Sequence, residues 1–344
     1  MRKSMAIKLL GILAVAAPLS SAAAQFDFYA GKTIRIVVGY APGAGYDSYS
    51  RLLAQFAGPR IPGNPKIIVE NMIGAGSLTA LNYVVNSAPQ DGTVIGSIGA
   101  TLPFAPLLGE PAARFDPLKL NWLPTPSSDT SILTVWHTAP AKTLDEARRN
   151  ELILGSNAQT GSASLYGRLL AETLGLKIKL IYGYSGGPSE ALLATERGEV
   201  HGHSSVSWAT LKGHSDWLRD RKVRLLTYYG GPRNPEIEAY DGAVYAEDKV
   251  PAGEMRELWD LGIAPSQLGR PFVMAPGVPA ERVKLIADAM MATWKDPQVK
   301  AAAHTQQLDL DPVSREAVQN IIQTAYKAPP QAIARLKGLF GDRK

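Results

Sequence analysis

Gly183-Tyr184-Ser185-Gly186-Gly187 has the G-x-S-x-G spacing of a nucleophile elbow, and it falls between a predicted strand and a predicted helix. A serine hydrolase built on Ser185 would also need a histidine base and a carboxylate to orient that base. Pro188 follows the motif at once, and downstream only His201, His203, His214 and His304 are available. His304 alone comes late enough for the order serine, acid, histidine, and it sits in an alanine-rich helix end. His201-Gly202-His203 would put two imidazoles on one face of a strand, which a metal could use. No third ligand stands near them, so the pair reads as hydrogen-bonded groups lining a cleft. Asp27, Asp116, Glu190 and Glu199 show no spacing of a general acid/base pair. There is no P-loop, and Gly43-Ala44-Gly45 lacks the third glycine of a dinucleotide fingerprint, so no cofactor is expected. The missing catalytic partners favour binding over turnover, with the Ser185 hydrolase as the alternative.

Four Gly/Ser-rich turns carry the binding reading: Pro42-Gly43-Ala44-Gly45-Tyr46-Asp47, Gly74-Ala75-Gly76-Ser77, Ser156-Asn157-Ala158-Gln159-Thr160-Gly161-Ser162, and Ser185-Gly186-Gly187-Pro188. Each follows a strand and opens a helix. Glycine lets backbone approach a ligand closely, and the unpaired N–H groups of a helix start favour a carboxylate or phosphate. In open α/β sheets the ligand crevice lies beyond the carboxyl ends of the strands, where all four turns emerge. The expected ligand is therefore an anion. Asp47 reads as the N-cap of its helix, able to pair with Arg51 four residues on. Tyr46 is either packed against a second lobe or stacked over the ligand.

The elements that must position these turns alternate. Thr33 to Val38 reads as a strand, followed by a helix with Tyr49, Leu52, Leu53 and Phe56 on one face; Lys66 to Val69 is a strand, followed by a helix carrying Leu78, Leu81 and Val85; Thr93 to Ile98 is a third strand. These form two successive βαβ units. Prolines crowd the stretch from Pro103 to Pro126, which reads as a crossover. A second α/β unit follows, with strands at Leu152–Gly155, Ile178–Tyr182, Val200–Ser205 and Val223–Tyr228. After an irregular Gly/Pro stretch, a strand at Phe272–Ala275 and a helix from Pro279 to Trp294 resume. A sheet begun early and finished late, with a second sheet inserted, gives two lobes joined by two crossings and a hinge. The expected boundaries are 25–124 for the first part of lobe 1, 125–227 for lobe 2 and 228–344 for the completion of lobe 1.

Residues 1–24 read as a cleavable secretory signal: Arg2, Lys3 and Lys8 precede an apolar run from Leu9 to Leu19, and Ala22 and Ala24 fit the small-residue positions before Gln25. A periplasmic protein is the expectation. The formal charge is +5, but three of the 36 Lys and Arg lie in the leader with none of the 31 Asp and Glu, leaving 33 basic against 31 acidic residues. That near-balance, with no basic run, argues against a nucleic-acid partner. The absence of cysteine excludes a lipidated cysteine, thiolate metal sites, a cysteine nucleophile and disulfides.

Gly39-Tyr40-Ala41-Pro42-Gly43-Ala44-Gly45-Tyr46-Asp47, with Arg51 behind it, resembles the first loop of the Bug receptors, the TctC-like periplasmic substrate-binding proteins of tripartite tricarboxylate transporters. Val69-Glu70-Asn71-Met72-Ile73-Gly74-Ala75-Gly76 is similar to their second loop. Ala88-Pro89-Gln90-Asp91-Gly92-Thr93, Thr160-Gly161-Ser162, Tyr184-Ser185-Gly186-Gly187, Arg197-Gly198-Glu199-Val200 and Ala275-Pro276-Gly277-Val278-Pro279 continue the resemblance in order. It implies a two-lobed periplasmic-binding-protein fold of type II, each lobe a mixed sheet flanked by helices. It further implies a monomer that closes on a di- or tricarboxylate or an aromatic acid and hands it to a membrane permease. The implied contacts are Pro42, Gly43, Ala44, Gly45, Tyr46, Asp47, Gly74, Ala75, Gly76 and Ser77 from one lobe, facing Ser156, Thr160, Gly161, Ser162, Ser185 and Gly186 from the other. Ala44 replaces a second glycine common in the family, and Tyr46 is bulkier than its usual counterpart, so a larger or flatter ligand is expected here.

Overall fold

The computed structural model describes residues 28–156, 162–184 and 188–340. Eleven strands in these residues form two sheets: β1 (Thr33–Val38), β2 (Lys66–Asn71), β3 (Val94–Ser97), β4 (Asn121–Trp122), β5 (Ser131–Trp136), β6 (Leu152–Ser156), β7 (Ile178–Tyr182), β8 (Gly202–Ser207), β9 (Val223–Tyr229), β10 (Val244–Tyr245) and β11 (Phe272–Met274).

The first sheet runs β2-β1-β3-β11-β4. β1 pairs in parallel with both β2 and β3, as two βαβ units require, and β11 is antiparallel to β3 and β4. The helix Gly45–Phe56 lays Tyr49, Leu52 and Leu53 onto the sheet. Beside it the helices Ala280–Lys295 and Pro297–Thr305 add Val283, Ile286, Met290, Trp294 and Val299, all buried in one core with Ile34, Ile36 and Phe272. Helix starts are set locally by side chains that accept otherwise unpaired N–H groups: Asn234 takes those of Glu236 and Ile237, Asp296 that of Gln298, and Ser314 that of Ala317.

The second sheet runs β10-β9-β5-β8-β6-β7. Its core order, β7-β6-β8-β5-β9, repeats that of the first sheet: a parallel trio, then one antiparallel strand (β5 or β11), then a further strand beside it (β9 or β4). In each sheet the antiparallel strand is the one the chain enters on arriving from the other lobe. The sequence carries no repeat to match this structural one.

The two expected crossings are three. The chain leaves the first sheet after Trp122, returns through Leu268–Phe272, and leaves again after the helix Pro297–Thr305. Val313 forms a β-bridge with Thr125 of the first crossing, and the Asp311 N–H donates to the Pro126 carbonyl at 3.0 Å. The last helices, Arg315–Tyr326 and Pro330–Phe340, then join the core of the helices Ser162–Leu174 and Glu254–Leu268. Tyr326 Oη also donates to the Pro103 carbonyl at 2.9 Å and Arg315 Nε to that of Trp122 at 3.1 Å, so the C-terminal helices are fastened to both lobes. The boundary expected at 227/228 is thereby displaced: β10 and the helix Glu254–Leu268 still belong to the second lobe, and only β11 and residues 280–305 complete the first.

Candidate functional site

A cavity of about 400 Å³ lies between the lobes at the crossings. Tyr40, Tyr46, Ala100 and Thr101 line it from the first lobe; Ser131, Ser162, Tyr166 and Ser205 from the second; Asp129, Pro265, Ser266 and Arg270 from the crossings and the helix that leads into them. It is continuous through Asp129, Ser131, Ser205 and Arg270 with a wider cleft of about 760 Å³ that reaches Gly45, Tyr49 and Trp208.

On the first-lobe side three loops at the carboxyl ends of β1, β2 and β3 lock together. Gly39 has no side chain because Ser77 fills the space a β-carbon would need. The Ser77 hydroxyl, fully buried, accepts from the Gly99 N–H at 3.2 Å. Ser77 holds φ at +81° and Ala75 at +45°, a conformation side chains adopt only when their surroundings impose it. Tyr46 stacks on Tyr40, ring centroids 4.2 Å apart and planes within 14°. Its hydroxyl accepts from Ala100 N–H at 3.2 Å, and the Arg270 guanidinium lies 5.1 Å from its ring centre. Tyr46 thus faces the hinge and the cavity together.

Asp47 is not the N-cap. The helix begins on Ala44, whose side chain makes no capping bond, and Asp47 sits in the first turn instead. Its buried carboxylate accepts from Gly43 N–H (2.8 Å), Asn71 Nδ2 (2.8 Å) and Arg51 Nε and Nη2 (2.7 and 3.0 Å). Burial raises its pKa, but these donors outweigh burial and hold the carboxyl below its ordinary range. The expected Asp47–Arg51 pair is present; its work is to pin the loop to β2.

On the second-lobe side Ser131 and Ser205 share a hydroxyl bond of 2.8 Å in the cavity wall. Behind Ser205, His203 Nδ1 accepts from the Ser205 N–H at 3.0 Å, and burial pushes the imidazole down to about 4, so it is neutral. His201 Nδ1 accepts from Ile153 N–H at 3.0 Å. The two histidines therefore serve the backbone behind the wall and do not line the cleft, and the described residues contain no cluster of three metal-ligating side chains. His214 stacks on Trp217 at 4.2 Å, and His304 stands on the far helix Pro297–Thr305 of the first lobe.

The crossings supply the charge. Arg270 Nη1 pairs with Asp129 Oδ2, tying the first crossing to the second, and donates to the Gly269 carbonyl at 3.3 Å. Burial opposes the Arg270 charge, yet Asp129 and the neighbouring phenols raise its affinity for the proton above the usual guanidinium. Its Nε is buried with no hydrogen-bond partner among the described residues. Gly269 takes φ +56°, and a β-carbon there would run into the Ser127 carbonyl, so the turn before Arg270 admits only glycine. Tyr166 and Ser266 hydroxyls, 2.6 Å apart, close the floor.

Of the residues expected at the site, Tyr46 and Ser162 line the cavity and Gly45 the wider cleft. Pro42, Gly43, Ala44, Gly74, Ala75 and Gly76 lie in partly or fully exposed loops and are not among the residues that line either space. Ser77 and Asp47 are buried beneath those loops, and Ser156 is buried with its hydroxyl 2.6 Å from that of Ser164. Thr160, Gly161, Ser185 and Gly186 lie outside the described residues. Sequence reasoning missed Tyr40, Ala100, Thr101, Asp129, Ser131, Tyr166, Ser205, Ser266 and Arg270. Only the hydroxyl-rich runs 127–131 and 204–205 carried any signal.

Two pseudo-repeated mixed sheets, three crossings and a polar cavity at the hinge define a two-lobed, type II solute-binding fold. The TctC solute-binding protein from Polaromonas shares it with a TM-score of 0.69 at 18% identity, over 90% of this chain and 98% of that one. Rpa4515 of R. palustris, solved with adipate, shares it with a TM-score of 0.61 at 17% identity, over 89% of this chain and 97% of that one. No protein-family model matches the chain. It is 31% identical over 235 residues to the UPF0065 protein in the gbd 5'region of Cupriavidus necator, covering 65% of this chain and 68% of that protein. The chain belongs to the family of that protein.

Proposed function

We propose that this chain is an extracytoplasmic receptor that captures a small carboxylate between its lobes and delivers it to the membrane permease of a tripartite tricarboxylate transporter. The observation that carries this reading is the polar cavity between the lobes, within the size range of small-molecule sites, walled by hydroxyls and bordered by the first turns of the helices Gly45–Phe56 and Ser162–Leu174. The adipate of Rpa4515, held in a protein of the same fold, supports a carboxylate as the ligand class. Closure would strip water from the carboxylate and substitute oriented N–H and O–H donors. Delivery to a permease implies export, which the leader at residues 1–24 supports, and a monomeric carrier. The loops Pro42 to Asp47 and Gly74 to Ser77, with Ser162 opposite, would then shape the pocket that accepts the ligand.

The test is a thermal-shift screen of residues 25–344 against mono-, di- and tricarboxylates, aromatic acids, amino acids and sugars. A ligand that binds only the native state at a thousandfold excess over Kd adds about 4 kcal/mol, a plain shift in midpoint. A response confined to carboxylates, weakened by Ser162→Ala and Gly76→Val in a folded protein, is expected. A flat carboxylate panel beside a clear response to a neutral solute would overturn the reading.

A further inference from the structure

Among the described residues the wall of the inner cavity has one cation and one anion, Arg270 and Asp129, and they are paired with each other. The wider cleft adds Lys212 and Arg233, but Glu236, Asp309 and Asp311 stand in the same wall, and Lys212 pairs with Glu236 while Arg233 pairs with Glu238 and Asp248. Among the described residues neither space holds surplus positive charge. A ligand bringing two or three carboxylates would leave at least one of them uncompensated in a partly desolvated space beside Asp129.

The guanidinium is nonetheless free to do one thing. Nη1 is committed to Asp129 and to the Gly269 carbonyl. Nε has no partner among the described residues, and the Nε–Nη2 edge faces Gly45: a β-carbon there would stand 3.5 Å from Nε and 3.8 Å from Nη2. A side chain at 45 would pack against this edge, whereas glycine leaves the buried donor without a contact at that position. Two parallel N–H groups along one edge of a guanidinium match the two oxygens of a carboxylate, a fit a lysine cannot reproduce.

We propose that the Nε–Nη2 edge of Arg270, left beside Gly45 with a buried, unpartnered donor, takes the ligand carboxylate as the lobes close, and that Asp129 makes the cleft selective for ligands with one carboxylate over those with two or three. This rests on the receptor reading above and narrows its ligand class. Asp129 has two tasks in this arrangement. It holds the guanidinium in place from the opposite side, and it cancels the charge that would otherwise welcome a polyanion.

Isothermal titration of benzoate, adipate and citrate into the wild-type chain, Gly45→Ala and Asp129→Asn tests it, with thermal melts of each ligand-free protein as the folding control. The wild type should bind benzoate more tightly than adipate or citrate. Asp129→Asn should move the adipate-to-benzoate affinity ratio about tenfold toward adipate, the scale of one like-charge contact in such a space. Gly45→Ala, whose methyl meets Nε at ordinary contact distance, should weaken benzoate about tenfold with the melt unchanged. Adipate or citrate preferred by the wild type, or a ratio unmoved by a folded Asp129→Asn, would sink the selectivity and leave the receptor standing. Should Asp129→Asn fail to fold, the wild-type order of affinities decides. No response of the wild type to any of the three acids would sink the receptor reading itself.

Discussion

Nδ1 of His203 accepts a hydrogen bond from the backbone N–H of Ser205 at 3.0 Å, so the imidazole behind the cavity wall must be neutral. Protonation would set a ring N–H against that amide. Burial places the folded pKa near 4, against an unfolded value of about 6.5. Between these values the unfolded chain binds the extra proton, so stability falls as pH drops from about 6.5 to about 4, by roughly 3 kcal/mol in all. Thermal melts across that window should show the slope, and His203→Gln should flatten it. Ligand affinity should fall in the same window, because the Ser205 hydroxyl that meets Ser131 is positioned by this amide.

Glu247 works in the opposite direction. Its Oε1 accepts from Gly230 N–H at 3.0 Å, while its Oε2 is buried without a partner among the described residues. Burial lifts the carboxyl to about 7. A group raised in the folded state stabilises fully below its unfolded value, near 4.5, and loses that contribution as pH rises through 7. Glu247→Gln keeps the acceptor and removes the buried charge. It should stabilise the protein at pH 8, on the order of 2 kcal/mol, and change little at pH 4, as read from paired melts.

Asp47 should be the residue in the binding loop least tolerant of change. Removing a buried carboxylate that accepts four hydrogen bonds strands the Gly43 amide, leaves the Asn71 amide nitrogen with its bond to the Tyr40 carbonyl alone, and takes the ion pair from Arg51. Asp47→Ala should cost about 2–3 kcal/mol. Because its donors hold the folded carboxyl below the ordinary range, its contribution is present above about pH 4 and fades as pH falls through the folded value. Chemical denaturation should therefore separate wild type from Asp47→Ala fully at pH 7, with the gap narrowing as the pH is lowered below about 4.

Gly269→Ala tests the turn that delivers Arg270. The added methyl meets the Ser127 carbonyl in a backbone conformation unfavourable to alanine, so a loss of about 2 kcal/mol or more is expected. Ligand affinity should fall with stability, since the same turn sets the guanidinium. A folded variant with unchanged affinity would separate the turn from the site.

The first-lobe loops were legible because each is punctuated: glycine and proline end β1 at Gly39, and glycines open the turn at Gly74. The central strand of the second sheet was not. Ser131–Trp136 is buried along its whole length, so it has no alternation, and it follows a hydroxyl-rich run that reads as loop. The helix Glu254–Leu268 was hidden for a related reason: Leu258, Trp259, Leu261, Gly262, Ile263 and Ala264 are all buried, which erases the amphipathic stripe, and Pro265 sits inside it. Arg270 could not be found from spacing, because a single arginine on a crossing gains its meaning only from Asp129, 141 positions away.

The late return of β11 also sets an order of events. β3 completes the parallel trio by Ser97, but its other neighbour in the sheet, Phe272–Met274, is made some 175 residues later, and the helices Ala280–Lys295 and Pro297–Thr305, which complete the core around Ile34 and Ile36, come later still. Through most of synthesis the first sheet therefore has an open edge and a face covered only in part, by the helix Gly45–Phe56, the kind of surface that chaperones hold and that aggregates when left alone. The cleft, walled from both lobes and from the crossings, comes into being only when both lobes do.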